Sequence, residues 1–462
     1  MLLTIPELLE QPTLSISWQG SREASGNPIA AFSTDTRTIQ AGQVFVAIVG
    51  DIHDGHHFID KAVGSGAAAC LVNRSWYTQH GTEFPNAGFM VVEDTLTAYQ
   101  EIARYYRMKF QIPVIALTGS SGKTTTKEYI DSVLRQKYNV LSNIKSFNNH
   151  IGVPATLLNL RPEHEILITE LGTNGFGELE RLSYLVNPSL CVFTNIGYAH
   201  LEHFKNAQGV TRAKMEMLTG MQKGGKVIYN ADDEILAGLT YPGPVFSYGT
   251  QETSDLKGVV RDCDEHACYR FALDDTEIHL ALPGRHNVSN ALAAAAVGVQ
   301  LGLDNDQIKA GLQGCDYVEK RMHVVEAHQL RIIDDTYNAN PGSCRAALDT
   351  LRDMQPLGKG RRVGVLGDML ELGEFTLQEH VNLLGYARQN GIVNLFLHGD
   401  AMAAAIQNVD EHGFQYISHF QDISRLQETL ARFTAAHDLV LVKGSRSMKM
   451  ERIVDYIKAI KD

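Results

Sequence analysis

The chain has 462 residues, too many for one hydrophobic core, so roughly two to four domains are expected. Hydrophobic residues make up 44% and charged residues 20%, which excludes a disordered or fibrous chain, and no apolar run approaches the length of a membrane span. The net charge of −12 argues against a nucleic-acid binder, so an anionic ligand must be gripped by local positive groups.

Taken in chain order, the N-terminus "MLLTIPELLEQPTL" carries glutamates and a proline where a signal peptide needs basic residues and then a long apolar core. Six scattered cysteines read as reduced thiols, and "DCDEHACYR", with Cys263, His266 and Cys268, matches neither a zinc pair nor a redox motif. A cytoplasmic protein is expected. Residues 1–88 mix strand-like "QVFVAIVG" with helical "HHFIDKAVGSG". "FMVVEDTLTAYQEIARYYRMKF" then reads as a strand and an amphipathic helix that Thr95 caps. From residue 112 to about 312, the strands "VIALTG", "EILITELG", "LCVFTNIG" and "KVIYNAD" alternate with helices, predicting a doubly wound sheet with ligands at the carboxyl ends of its strands. "NALAAAAVGVQLGL" reads as a helix buried against it. The third region repeats the rhythm with "LRIIDDTY", "RRVGVLGDM", "NLFLHGD" and "DLVLVKGS". The expected fold is α/β in three domains, 1–88, 89–314 and 315–462. Facing strand ends would form a cleft between the second and the third.

The stretch "VIALTGSSGKTTT" carries the chemistry. A strand runs into a turn of Gly119, Ser120, Ser121 and Gly122, and a helix opens at Lys123, Thr124 and Thr125. Backbone N–H groups at such a helix start cradle phosphates, Lys123 reaches the terminal phosphates, and the Thr124 hydroxyl suits Mg²⁺. The longer form of the motif has a glycine where Leu117 stands, and the bland alternative is a Gly/Ser turn beside a surface lysine. The strand and helix flanks favour a nucleoside-triphosphate site. Glu170, at the tip of "EILITELG", is placed to hold Mg²⁺; otherwise it is an exposed strand-end carboxylate. Asn195, His200, Glu202 and His203 in "TNIGYAHLEHF" gather metal-competent groups in one turn. Lys214 in "RAKMEML" reads by itself as a solvated helix lysine.

"TGSSGKTTTKE", "TELGTN", "TNIGYAHLEHF", "AKMEML", "GRHNVSNALAA" and "DDTYNANP" occur in the order and spacing of the Mur ligase family, and the likeness spans nearly the whole chain. "STDTRTIQAGQVFVAIVGDIHDGHHFI", "KSFNNHIGVPATLL" and "LGDMLELGE" resemble its branch that joins D-alanyl-D-alanine to a UDP-N-acetylmuramoyl-tripeptide. The resemblance implies a small α/β UDP-substrate domain, a central P-loop ATPase-like domain and a C-terminal Rossmann-like domain that binds the dipeptide. It implies ATP, two Mg²⁺ sites and an acyl-phosphate intermediate. Thr124 and Glu170 would serve one metal and His200 the other, and Lys214 would carry a carbamate. His286, Asn287, Asn290, Arg321 and Asp335 would contact the nucleotide, with Asp335 on the ribose. Asp35, Thr36, Arg37, Asp54 and His56 would meet the UDP substrate. Asn148, Asn149, Asn338, Asn340, Ser445 and Arg446 would line the substrate side, and Lys443 would be an anion contact. The bland readings are that Asn287 and Ser289 cap the alanine-rich helix and that Asp334 and Asp335 form a solvated turn.

Other readings stay open at this point: another Mur-type amino-acid ligase, a folylpolyglutamate-synthase-like ligase, or a nucleotide-binding switch or module. A guanine-reading Asn-Lys-x-Asp motif is absent from the sequence. A monomer is expected, with neither nucleic acid nor membrane insertion.

Overall fold

A computed structural model of the chain describes residues 3–20, 28–50, 52–143, 147–315 and 319–460. Lys145 and Ser146 of the "KSFNNH" motif fall outside them.

Three sheets follow one another along the chain. The first contains β1 (Ser17–Gln19), β2 (Phe32–Ser33), β3 (Val44–Val46), β4 (Ala69–Asn73) and β5 (Phe89–Val92), in the order β1-β5-β4-β3-β2. β5 runs parallel to β4 and antiparallel to β1, so this sheet extends past the expected boundary at residue 88. An apolar strand such as "FMVV" does not announce which sheet it will join. The helix after it, Thr95–Arg107, is capped by Asp94, whose carboxylate accepts the Thr97 N–H at 2.6 Å. Thr95, expected as the cap, instead donates its hydroxyl to the Ala47 carbonyl at 2.8 Å and is buried.

The second sheet contains β6 (Val114–Thr118), β7 (Val140–Ser142), β8 (Ile166–Glu170), β9 (Leu190–Phe193), β10 (Lys226–Asn230), β11 (Val245–Gly249), β12 (Leu256–Cys263), β13 (Cys268–Leu273) and β14 (Thr276–Pro283). Their order is β14-β13-β12-β11-β10-β9-β6-β8-β7, parallel from β7 to β12 and antiparallel beyond. Successive residues of β6 point to opposite faces, and both faces are buried: Val114 and Ala116 join one apolar cluster, Ile115 and Leu117 another. The alanine-rich helix His286–Gln300 covers the second face, its small side chains letting it lie close against helix Lys123–Leu134. With β6 flanked by β8 and β9, the loops after these three strands converge on one crevice.

The third sheet contains β15 (His323–Ala327), β16 (Leu330–Asp335), β17 (Arg362–Gly367), β18 (Asn394–His398), β19 (Tyr416–Phe420) and β20 (Leu439–Lys443), in the order β15-β16-β20-β17-β18-β19. Only β15 is antiparallel to its neighbour. The register pairs Asp335 with Lys443, bringing an acid and a base together at the carboxyl ends of β16 and β20.

Candidate functional site

The turn after β6 can be built only from glycine at two points. A Cβ on Gly119 would stand 1.9 Å from Thr194 Oγ1, and Gly122, at φ +78°, would press one to 2.4 Å from Asn290 Oδ1. Asn195 clamps the turn: its carbonyl accepts the Ser120 N–H at 3.0 Å, its Oδ1 accepts the Ser121 N–H at 2.9 Å, and its Nδ2 donates to the Ser121 carbonyl at 3.0 Å. The sequence placed Asn195 in a metal-competent cluster; its role here is to hold the loop. With Ser120 and Ser121 N–H occupied, the groups left for an anion include those of the first helical turn, Lys123 to Thr125, which have no i−4 partner within the helix. Lys123 Nζ donates to the Gly119 carbonyl at 2.8 Å. Desolvation, countered by Glu170 and reinforced by Arg321, pushes its ammonium pKa down from 10.5.

Thr124 and Glu170 meet as expected. The Thr124 hydroxyl donates to Glu170 Oε2 and Asn148 Nδ2 donates to Oε1, both at 2.7 Å. Glu170 is almost wholly buried rather than an exposed strand end. Among the described residues, no group of three or more His, Cys, Asp or Glu is arranged to hold a metal. Glu202 and His203 are exposed and do not join His200, so the four-residue cluster read from the sequence does not form. A hydroxyl and one carboxylate still suit Mg²⁺, which takes oxygen ligands and keeps waters and substrate phosphates in its remaining positions.

Ser120 to Thr125, Asn148, Asn149, Glu170, His200, His286, Asn290, Arg321, Asp335, Asn338 and Asn340 line one cavity of about 670 Å³, well within the range of small-ligand sites. Its walls come from the second and the third sheet regions. Asp335 Oδ2 and Lys443 Nζ are 2.5 Å apart, and the Lys443 ammonium also donates to the Asn338 carbonyl at 2.9 Å. The Arg321 guanidinium lies 4.0 Å over the Tyr337 ring. Asn340 caps helix Pro341–Asp353 by accepting the Ser343 N–H at 2.8 Å, and its Nδ2 reaches Ser121 Oγ at 3.2 Å. His286 has a buried Nδ1 with no partner, and burial lowers its pKa, favouring the neutral ring.

Other expected site residues lie elsewhere. Asn287 does not line the cavity; its Nδ2 donates to the Pro283 carbonyl at 2.8 Å and its Oδ1 accepts Asn290 Nδ2 at 2.9 Å, bracing Asn290. Neither it nor Ser289 is the helix cap, since the helix opens at His286 with no capping side chain. Asn149 does line the cavity, but its Oδ1 accepts the N–H groups of Ile151 and Gly152. Ser445 is buried, accepting the Leu370 N–H at 2.8 Å, and Arg446 pairs with Glu451 at 3.2 Å; both lie outside the cavity wall. Lys214 is not the solvated lysine its surroundings in the sequence suggest. It is 1% exposed, and desolvation and the charge of Lys123, opposed by Glu170, push its pKa well below 10.5.

None of the described residues of the first region lines this cavity. Asp35 accepts Arg37 Nε and Nη2 at 2.7–3.0 Å, and that pairing and the Arg37 N–H hold its carboxyl at about 2. Thr36 sits in the turn between them. Arg37 is 82% exposed and open to a ligand. His56 is not: Asp54 Oδ1 engages its Nδ1 at 2.6 Å, the Asn73 N–H donates to its Nε2 at 3.1 Å, and the ring is buried. Both nitrogens are spoken for, so His56 shapes the loop instead of contacting substrate.

A phosphate loop on a doubly wound sheet, working against the strand ends of a second sheet, defines a nucleotide-dependent α/β enzyme with an interdomain site. The chain belongs to the Mur ligase family: the Mur ligase middle domain matches residues 117–298, and the Mur ligase, glutamate ligase domain matches residues 320–446. It is accordingly an ATP-dependent ligase that forms a C–N bond. It is 36% identical over 446 residues to the UDP-N-acetylmuramoyl-tripeptide–D-alanyl-D-alanine ligase of Escherichia coli, covering 94% of this chain and 95% of that one. With the Bacillus subtilis enzyme of the same name the identity is 34% over 430 residues, 92% of each. A crystal structure of MurF from Acinetobacter baumannii superposes with a TM-score of 0.86 at 30% identity over 99% of both chains. MurF from Thermotoga maritima in complex with ADP superposes at 0.79 and 26% identity, over 93% of this chain and 97% of that one.

Proposed function

We propose that the protein joins D-alanyl-D-alanine to a UDP-N-acetylmuramoyl-tripeptide with ATP, giving the UDP-muramoyl-pentapeptide precursor of peptidoglycan, ADP and phosphate. The observation that carries this is the shared cavity, in which the phosphate loop of one sheet faces Asp335, Asn338 and Asn340 of the other. A ligase must bring a phosphate donor and an amine acceptor to one carboxylate, and such a cavity offers each a wall. A free carboxylate is a poor acyl donor because its oxygen will not leave. Transfer of the γ-phosphoryl group to it makes an acyl phosphate, and attack by the dipeptide amine expels phosphate through an anionic tetrahedral species. Lys123 and the first-turn N–H groups grip the transferred phosphoryl group. Thr124, Glu170 and the His200 side would hold two Mg²⁺ ions, which supply charge neutralisation at the phosphates. Arg321 and Asp335 bind the nucleotide with His286 and Asn290, and Asn148, Asn149 and Asn338 face the peptide substrates.

We read Lys214 as carbamoylated. Carbamate formation consumes a neutral amine, and both the burial of Lys214 and the nearby Lys123 ammonium favour that form. The resulting anion would offset Lys123 beside the metal site. Arg37, with Asp35 and Thr36, recognises the UDP moiety, and Ser445 and Arg446 support the dipeptide side. The domains of this reading end near residues 92 and 314. We take the protein as a cytoplasmic monomer that binds no nucleic acid. No helix among the described residues is long and apolar enough to cross a membrane, and no disulfide forms among the described residues.

The test is phosphate release with ATP, Mg²⁺, UDP-muramoyl-tripeptide and D-alanyl-D-alanine, omitting each in turn. Orthophosphate should appear only with the full set. AMP and pyrophosphate as products, or release that ignores the dipeptide, would refute the reading.

A further inference from the structure

We infer that Glu371 is a positioning residue for His200, supplied by the third region to the central one, so that the imidazole is correctly set only where the two regions touch. His200 stands at φ +54°, immediately before the short helix Leu201–Phe204, a conformation that local sequence does not favour and that neighbours must hold. Those neighbours come from the loop after β17. Glu371 Oε2 lies 2.5 Å from His200 Nδ1, and the Glu371 carbonyl accepts the Glu202 N–H at 2.9 Å. Glu371 is itself left-handed at φ +64°, and a Cβ on Gly373 would come within 3.3 Å of the Glu202 Cα, so the two loops are packed backbone to backbone. The Glu371 side chain is 48% exposed, so apolar burial does not explain its place.

A carboxylate at Nδ1 fixes the proton there and leaves Nε2 as the lone-pair nitrogen, the form able to ligate a metal. His200 lines the nucleotide cavity together with the phosphate loop and Glu170. The same two regions also meet at Asn340 and Ser121, on the phosphate loop. Contact between the regions would thus set both the loop and the histidine. This inference rests on reading the cavity as a metal–nucleotide site.

The experiment compares wild type, Glu371→Ala and Glu371→Gln, reading Mn²⁺ binding in the presence of ADP by electron paramagnetic resonance. ADP affinity without metal and the melting temperature are measured alongside. Removing the partner of a metal-ligating histidine costs about 10- to 100-fold in metal affinity. Glu371→Ala should show that loss with metal-free ADP binding and melting unchanged. Glu371→Gln keeps an oxygen able to accept from Nδ1–H and should stay near wild type. Wild-type Mn²⁺ affinity in the alanine variant, or an equal loss in the glutamine variant, would overturn the inference while leaving the proposed function intact. A wild type that binds ADP but no Mn²⁺ would overturn the metal–nucleotide reading, and this inference with it.

Discussion

Replacing Lys123 with alanine separates a catalytic lysine from a structural one, because the structure assigns the two roles opposite signs. The ammonium rests against the Gly119 carbonyl at 2.8 Å, and its pKa is depressed by desolvation. A lysine whose folded pKa lies below its unfolded value is a net cost to the ligand-free fold. That cost is full below the folded pKa and is relieved as the pH rises through it toward 10.5. Lys123→Ala should therefore melt no lower than wild type at neutral pH, and the difference between the two should shrink in alkaline buffer. Turnover should move the other way. One preorganised donor to developing charge in a water-poor site contributes about 3 kcal/mol, which corresponds to roughly 150-fold in kcat. A unit charge about 4 Å from a phosphoryl oxygen, at an effective dielectric constant near 20, gives a similar or larger figure, about 4 kcal/mol. The assay is continuous phosphate release at saturating substrates, with thermal melting on the same preparations. Near-normal turnover would remove the loop lysine from the mechanism. A sharp loss of stability with a matching loss of activity would make Lys123 a structural residue.

Arg37→Ala should raise the KM for the UDP-tripeptide far more than that for ATP while kcat survives, since the side chain is exposed and among the described residues it pairs with Asp35; equal effects on all three substrates would point to a folding role. Solution scattering should show compaction with nucleotide plus UDP-tripeptide and little with ADP alone, because Arg321, Asp335 and the phosphate loop already line one cavity and the described residues of the first region do not; identical profiles in all states would refute substrate-driven closure. Lys214→Ala should be folded and nearly inactive, with turnover partly restored by a short carboxylic acid, and Lys214→Arg should fail because guanidinium stays cationic. Wild-type activity in either variant would rule out the carbamate.

What the sequence disclosed was local chemistry; what it withheld was partnership. The loop from Gly119 to Thr125 and the strand-end Glu170 were legible because strand, turn and helix start are contiguous and their residue types have few other uses. The two larger α/β sheets followed from the alternation of apolar runs with amphipathic helices, while the small first domain was implied only by the family resemblance. The first boundary was misplaced because "FMVV" reads as a buried strand whichever sheet receives it. Thr95 lost the cap to Asp94 where two competent side chains stand side by side and only backbone geometry chooses. His56 and Asn287 carry polar groups that a motif cannot distinguish from ligand contacts, yet each is consumed by partners 17 and 4 residues away. Glu371 is 171 residues from His200, and no spacing rule reaches that far.

The same partnerships bear on how the site works. Several polar groups of the phosphate loop are satisfied by the protein itself: Ser120 and Ser121 by Asn195, Lys123 by Gly119, Thr124 by Glu170, and the Ser121 hydroxyl by Asn340. Phosphate binding is then an exchange of partners. Lys123 leaves a neutral carbonyl for an anion, and charge-assisted hydrogen bonds are roughly twice as strong as neutral ones, so the exchange is favourable for a polyphosphate and much less so for a neutral ligand. The Asn195 clamp sits outside that exchange, because its bonds hold Ser120 and Ser121 while the helix-start N–H groups receive the anion. Asn340 is different. It touches the loop from the other domain, and any ligand-driven shift of Ser121 acts on the cap of helix Pro341–Asp353, hence on the loop segment that carries Asn338. Asn340 thus ties the phosphate loop to the cap of a helix in the third region, beside the separate contact that Glu371 makes with His200 and Glu202.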